Sequence, residues 1–290
     1  MNRQRWETPS EGRSPFVFVV LVFLLSIPIW TIGPVIEGLL PNELPVNLPI
    51  SSLMAFAPMT AAAILVWRNQ GTDGVKKLLK KAFDHRRITE RIWYVPTLLF
   101  WPVLMVLQYA LMTLMDVPLA EPQVPALMVV VSFAVFFVAA VGEELGWQGY
   151  AIDPLQHRWN ALSASVVLGI VWGSWHVVPL IQLDQTPAWI AWQCMSLVVA
   201  RILTVWLYQN TGKSVHATIL FHAMNNVTTV LLASYGWPYN PMVATIILSL
   251  AAAVVTFLWG PATLARFRYS RPGAGVRSAG ANPPVPEAKP

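Results

Sequence analysis

Charge is what this sequence has least of. Among 290 residues there are 19 Lys or Arg and 14 Asp or Glu, 11% in all. A soluble domain carries about 25%, so a water-exposed surface of this size would go uncovered. Cysteine is nearly missing as well. The single Cys194 excludes an internal disulfide framework and a cysteine-based zinc cluster. There is no internal repeat, and no linker divides the body of the chain. Wholesale disorder is excluded too, because 56% of the residues are hydrophobic and the mean hydropathy is +0.54.

What is present is long apolar runs. A helix needs about 20 apolar residues to cross a bilayer. Eight stretches qualify: 15–36, 48–67, 93–115, 125–142, 161–183, 189–210, 214–235 and 241–267. They are too long for barrel strands, which alternate over about 10 residues. The fold class expected is all-α, a polytopic membrane protein of about eight transmembrane helices. Residues 1–14 form the N-terminus, 15–268 the membrane domain, and 269–290 a tail rich in Pro, Gly and Ala with little to bury.

The cations then orient the chain. With the N-terminus in the cytoplasm, 18 of the 19 Lys and Arg fall on the cytoplasmic side, and Arg201 lies within a span. The opposite loops hold Glu37, Glu43, Asp116, Glu121 and Asp184 and no cation. By the positive-inside rule both termini are cytoplasmic. The location expected is a bacterial plasma membrane, and the basic balance calls for no nucleic acid. Within 69–92, Leu78, Leu79, Ala82 and Phe83 are spaced along one face among basic residues. That pattern predicts a short interfacial helix on anionic headgroups.

Ionisable residues inside spans cost several kcal/mol, roughly 3 at mid-bilayer, so they mark candidate functional sites. Here they are Glu143 and Glu144, His176, Arg201, and His222, the last with Asn225 and Asn226. Trp172 and His176 are four apart, as are His222 and Asn226, Glu143 and Trp147, and Glu144 and Gln148. On a helix each pair shares one face. The set contains carboxylates, imidazoles and amides but no good nucleophile, since Ser174 faces away from His176 and Cys194 has no partner at helical spacing. Such a set can activate water. A carboxylate withdrawn from bulk water serves as general base, a histidine shares the water, and a second histidine with an asparagine stabilises an oxyanion. Glu and His are also adequate zinc ligands, and a site of three protein ligands plus water would be an ordinary catalytic zinc site. With no HExxH sequence, Zn2+ would have to be held by residues from different helices. His85, His157 and His216 read as structural or solvated.

These motifs together resemble the CPBP family of intramembrane proteases, the type II CAAX prenyl endopeptidase-like or Abi family. The first motif stands here as Glu143-Glu144 followed by Trp147-Gln148, the second as Trp172 through His176, the third as His222 through Asn226. They occupy 125–235. The resemblance implies an intramembrane endopeptidase acting on a membrane-anchored protein or peptide substrate. It places water activation on Glu143 and His176, the oxyanion hole on His222 and Asn226, and an orienting role on Glu144. Members are often described as metalloendopeptidases; a metal would be bound by Glu143, His176 and His222. Trp172, Gln148 and Arg201 are supporting residues. Where most members have Arg, this chain has Gln148. Arg201, about 14 Å along its helix at 1.5 Å per residue, lies at a depth where it could reach Glu144. The alternatives are a catalytically silent scaffold or immunity factor, which Gln148 keeps open, and, ranked below it, a transporter, which inverted repeats would have favoured.

Overall fold

A computed structural model describes residues 14–38, 50–117, 124–237 and 239–265. Among these, all regular structure is helical. The chain runs through α1 (Pro15–Glu37), α2 (Ala57–Lys80), α3 (Tyr94–Leu114), α4 (Ala126–Gly146), α5 (Ile152–Arg158), α6 (Ala161–Gln182), α7 (Pro187–Asn210), α8 (Val215–Asn226), α9 (Leu232–Ser234) and α10 (Pro241–Trp259). A tight helical turn over Ile50–Phe56 leads into α2. The tail 269–290 and all but Ser14 of the expected N-terminal segment lie outside the described residues.

Local chemistry sets the helix starts. Ser14, Asn160, Thr186, Ser214 and Asn240 each accept a backbone N–H from the first turn of the adjoining helix. Pro15, Pro187 and Pro241 come directly after three of these caps, where a missing N–H costs nothing. α10 ends at Trp259, earlier than the apolar run suggests, because Gly260 turns to φ 76° and Pro261 comes next.

Among the described residues, seven helical segments are long and apolar enough to cross a membrane. The remaining expected crossing, 214–235, is helical but more polar. α8 passes through a wide π turn, Val227–Leu231, into α9. It carries two histidines and two asparagines, which neighbouring helices shelter. The surface agrees with a lipid solvent: Phe16, Leu24, Val130 and Leu250 stand exposed, while Arg201, Glu144, Gln148 and Ser26 are buried.

Small residues bring the site-bearing helices together. On α4, a Cβ added to Gly142 would come within 2.6 Å of the Ala55 carbonyl oxygen, and one on Gly146 within 2.5 Å of Pro58. On α6, Gly169 and Gly173 lie against Val198 and Cys194 of α7. Both pairs have the four-residue spacing that lets membrane helices approach backbone to backbone. The expected interfacial helix is the far half of α2, which bends at Gly71, where φ is 65°. The start of α6 is tucked under the turn after α10, with Ala161 N–H donating to Ala262 O at 3.0 Å.

Candidate active site

The polar residues of α4, α6, α7 and α8 converge in one buried cluster. Glu143 and Glu144 come from the last turn of α4, adjacent in sequence and therefore about 100° apart around the helix. The indole Nε1–H of Trp172 donates to Glu143 Oε2 at 2.7 Å. Glu144 faces α7 and α8. Arg201 Nη1 donates to both of its oxygens, at 2.9 and 3.1 Å, and His222 Nδ1–H donates to Oε1 at 2.9 Å. His222 Nε2 is thereby turned toward Glu143, 3.8 Å from Oε1.

Trp172 is the hub. Its ring lies edge-on to His176 at 5.2 Å and to His222 at 5.4 Å between centroids. The Arg201 guanidinium sits 4.2 Å above it, close enough for a cation–π contact. His176 donates Nδ1–H to the Trp172 carbonyl at 2.8 Å. A carbonyl can only accept, so this bond fixes the tautomer and leaves Nε2 as the basic nitrogen. His176 is half-buried, whereas Glu143, Glu144 and His222 are buried.

Most of the expected residues meet here: Glu143, Glu144, Trp172, His176, Arg201 and His222. Arg201 reaches Glu144, as its depth along α7 suggests. Asn226 sits at the end of α8, one turn beyond His222 and half-buried. Its Oδ1 lies 3.5 Å from Asn225 Nδ2, and among the described residues it makes no bond to the glutamates or histidines.

Trp147 and Gln148, expected on one face with Glu143 and Glu144 respectively, make no side-chain hydrogen bond to them among the described residues. The chain leaves α geometry immediately after Gly146 and makes a π turn over Trp147–Ala151. Its first residue keeps the helical register, since Trp147 N–H still bonds the Glu143 carbonyl, and the widened bond is the one from Ile152 N–H to the Trp147 carbonyl. Trp147 instead packs on Phe18 of α1 and Trp175 of α6, at 5.4 and 5.6 Å. Gln148 is fully buried, and neither atom of its amide has a partner among the described residues. One contributor has no motif signature. Ser26 of α1 accepts the Trp175 Nε1–H at 2.8 Å and anchors the residue next to His176. Its only sequence signal is a hydroxyl, one of two with Thr31, within an apolar run.

The expected zinc set fits poorly. The free donors are Glu143 Oε1 and the Nε2 atoms of His176 and His222. Among the described residues, no group of three His, Cys, Asp or Glu side chains converges closely enough to hold a metal ion.

Two comparisons bear on this cluster. The family model described as type II CAAX prenyl endopeptidase Rce1-like matches residues 125–228. Over 105 residues the chain is 35% identical to "CAAX prenyl protease 2" of Methanococcus maripaludis, a match covering 33% of this chain and 38% of that protein. The chain thus spans under two fifths of the length of this curated relative. The family match contains every residue of the cluster drawn from α4, α6, α7 and α8, and leaves out α1 with its Ser26.

Proposed function

We infer that this chain, whose residues 125–228 match the type II CAAX prenyl endopeptidase Rce1-like family model, is an intramembrane endopeptidase that hydrolyses peptide bonds of membrane-anchored substrates. The observation that carries this reading is Glu143. It is a buried carboxylate held by the Trp172 indole, with the rings of His176 and His222 against that same indole.

Water is the nucleophile. Glu143 takes its proton as general base, and the free Nε2 of His176 holds the water by accepting its second hydrogen. The water oxygen bonds to the substrate carbonyl carbon, and the carbonyl oxygen becomes an oxyanion. His222, with both ring nitrogens protonated, donates Nδ1–H to Glu144 and Nε2–H to that oxyanion. Asn226 supplies a second donor from its side-chain amide. Glu143 then passes its proton to the leaving nitrogen as the C–N bond breaks, which restores the carboxylate. Glu144 orients His222, and Arg201 neutralises Glu144. No step runs through a metal. Gln148 has no part in this chemistry, because Arg201 provides the cation.

The test is Glu143→Gln. The amide oxygen can still accept from Trp172, so the fold is kept while the base is lost. Cleavage of membrane-anchored peptides in proteoliposomes is expected to fall about 10²- to 10⁴-fold with an unchanged unfolding temperature. Unchanged cleavage overturns the mechanism. A wild type that cleaves nothing across a broad peptide library supports a catalytically silent scaffold instead.

A further inference from the structure

We propose that the segment 71–93 is a docking face for anionic phospholipid headgroups, coupled directly to both glutamate- and histidine-bearing helices of the site. The activity half of this proposal rests on the endopeptidase reading; the lipid half does not.

The segment has the two ingredients an interfacial surface needs. Over 71–93, seven Lys or Arg stand against three Asp or Glu, a net charge of +4. Lys76, Lys77, Lys80 and Arg86 are all exposed. Large apolar side chains are interleaved with them: Phe83 is 65% and Ile92 64% exposed, and Leu79 is exposed as well. The segment joins two helices that are long and apolar enough to span the membrane, so it lies at a bilayer surface. A soluble acidic partner would satisfy the lysines but leave Phe83 and Ile92 without apolar cover from lipid. Anionic headgroups above acyl chains satisfy both.

The same segment also grips the site. Lys81 Nζ donates to the Gly149 carbonyl at 2.9 Å, inside the π turn just past Glu143 and Glu144. Leu78, on the inward side, packs by Gly149. His216, six residues before His222 on α8, donates Nδ1–H to the Ala82 carbonyl at 2.8 Å. A headgroup pull on Lys76, Lys77 and Lys80 therefore reaches α4 through Lys81 and α8 through Ala82.

The experiment uses the full chain in nanodiscs of phosphatidylcholine with and without phosphatidylglycerol. Wild type is compared with Lys76→Gln/Lys77→Gln/Lys80→Gln and with Lys81→Met. Native mass spectrometry reads which lipid is retained on release from the disc. Wild type is expected to retain phosphatidylglycerol preferentially, with about fivefold less preference for each of Lys76, Lys77 and Lys80 removed at low salt. The preference should shrink as salt rises. Lys81→Met should retain the lipid like wild type. Cleavage by wild type should rise several-fold with phosphatidylglycerol, and neither variant should show that rise. Equal retention of both lipids by wild type, or full preference in the triple variant, overturns the docking face. Activation that persists in Lys81→Met overturns the coupling. If wild type cleaves nothing in either disc, the endopeptidase reading fails, while the retention result still decides the docking face.

Discussion

Arg201 Nη1 lies 2.9 and 3.1 Å from the two carboxylate oxygens of Glu144, with the Arg201 side chain 0% and the Glu144 side chain 1% exposed. Neither charge can turn to water if the other is removed. Arg201→Met should therefore cost about 3–5 kcal/mol, the usual result of stranding one member of a buried pair. Arg201→Lys keeps the charge but loses the planar fork and the stacking on Trp172, and should fall between. Denaturant unfolding in detergent micelles checks both.

The position of that cation is more negotiable than its presence. Gln148 is buried one turn from Glu144 with an amide that bonds to nothing among the described residues. In an Arg201→Met background, Gln148→Arg should restore much of the lost stability and turnover. In the wild-type background the same change adds a second buried cation, and should lower stability. Unfolding and cleavage measured on all four combinations form the double-mutant cycle that decides this.

The oxyanion role proposed for Asn226 is tested against its neighbour Asn225. Asn226→Ala should lower kcat about 10²- to 10³-fold with little change in KM, as expected for a donor used only in the transition state. Asn225→Ala should leave kcat near wild type. Steady-state kinetics on one peptide substrate distinguish them, and a reversed order would move the role to Asn225.

Gly146→Ala sets two effects of opposite sign against each other. Helix propensity favours alanine by about 1 kcal/mol. The new Cβ would lie 2.5 Å from Pro58 backbone and ring atoms, which cannot yield as a flexible chain end would. Overpacking of this kind costs about 1–3 kcal/mol. The expected result is net destabilisation, together with a loss of cleavage larger than the stability loss explains, because α4 shifts with both glutamates. Thermal unfolding alongside kinetics checks it.

Metal dependence is tested by chelation. With no converging group of three ligands among the described residues, dialysis against a chelator is expected to leave kcat unchanged. A loss that stoichiometric zinc restores would reassign Glu143, His176 and His222 as ligands.

The membrane helices were readable because lipid imposes a simple rule on composition, and the few charges left inside them pointed to the site. Glu143, Glu144, His176 and His222 could be picked out before any fold was known. The pairing of Arg201 with Glu144 could be anticipated from depth, since the other cations lie at span ends or in the cytoplasmic segments. The partner of Trp175 could not be, because Ser26 is more than a hundred residues away and hydroxyls in apolar helices commonly bond their own backbone. Nor could the packing of Trp147 on Phe18 and Trp175, because local spacing does not fix which distant helices come together. The far half of α2 was recognised as helical and amphipathic, but its continuity with the span before it depends on the bend at Gly71.

Both helices that supply the paired carboxylates and the His–Asn pair widen straight after them, at Trp147–Ala151 and at Val227–Leu231. A π turn is an α helix with one residue too many, so each resets the rotational phase of the downstream helix by about 100°. The segment beyond can satisfy its own packing demands without dictating where the preceding side chains point. Deleting one residue from either turn would re-index the helix, and every contact on one side of the deletion would face the wrong neighbour. In this fold the length of those two short stretches is as strict a specification as the identity of the residues before them.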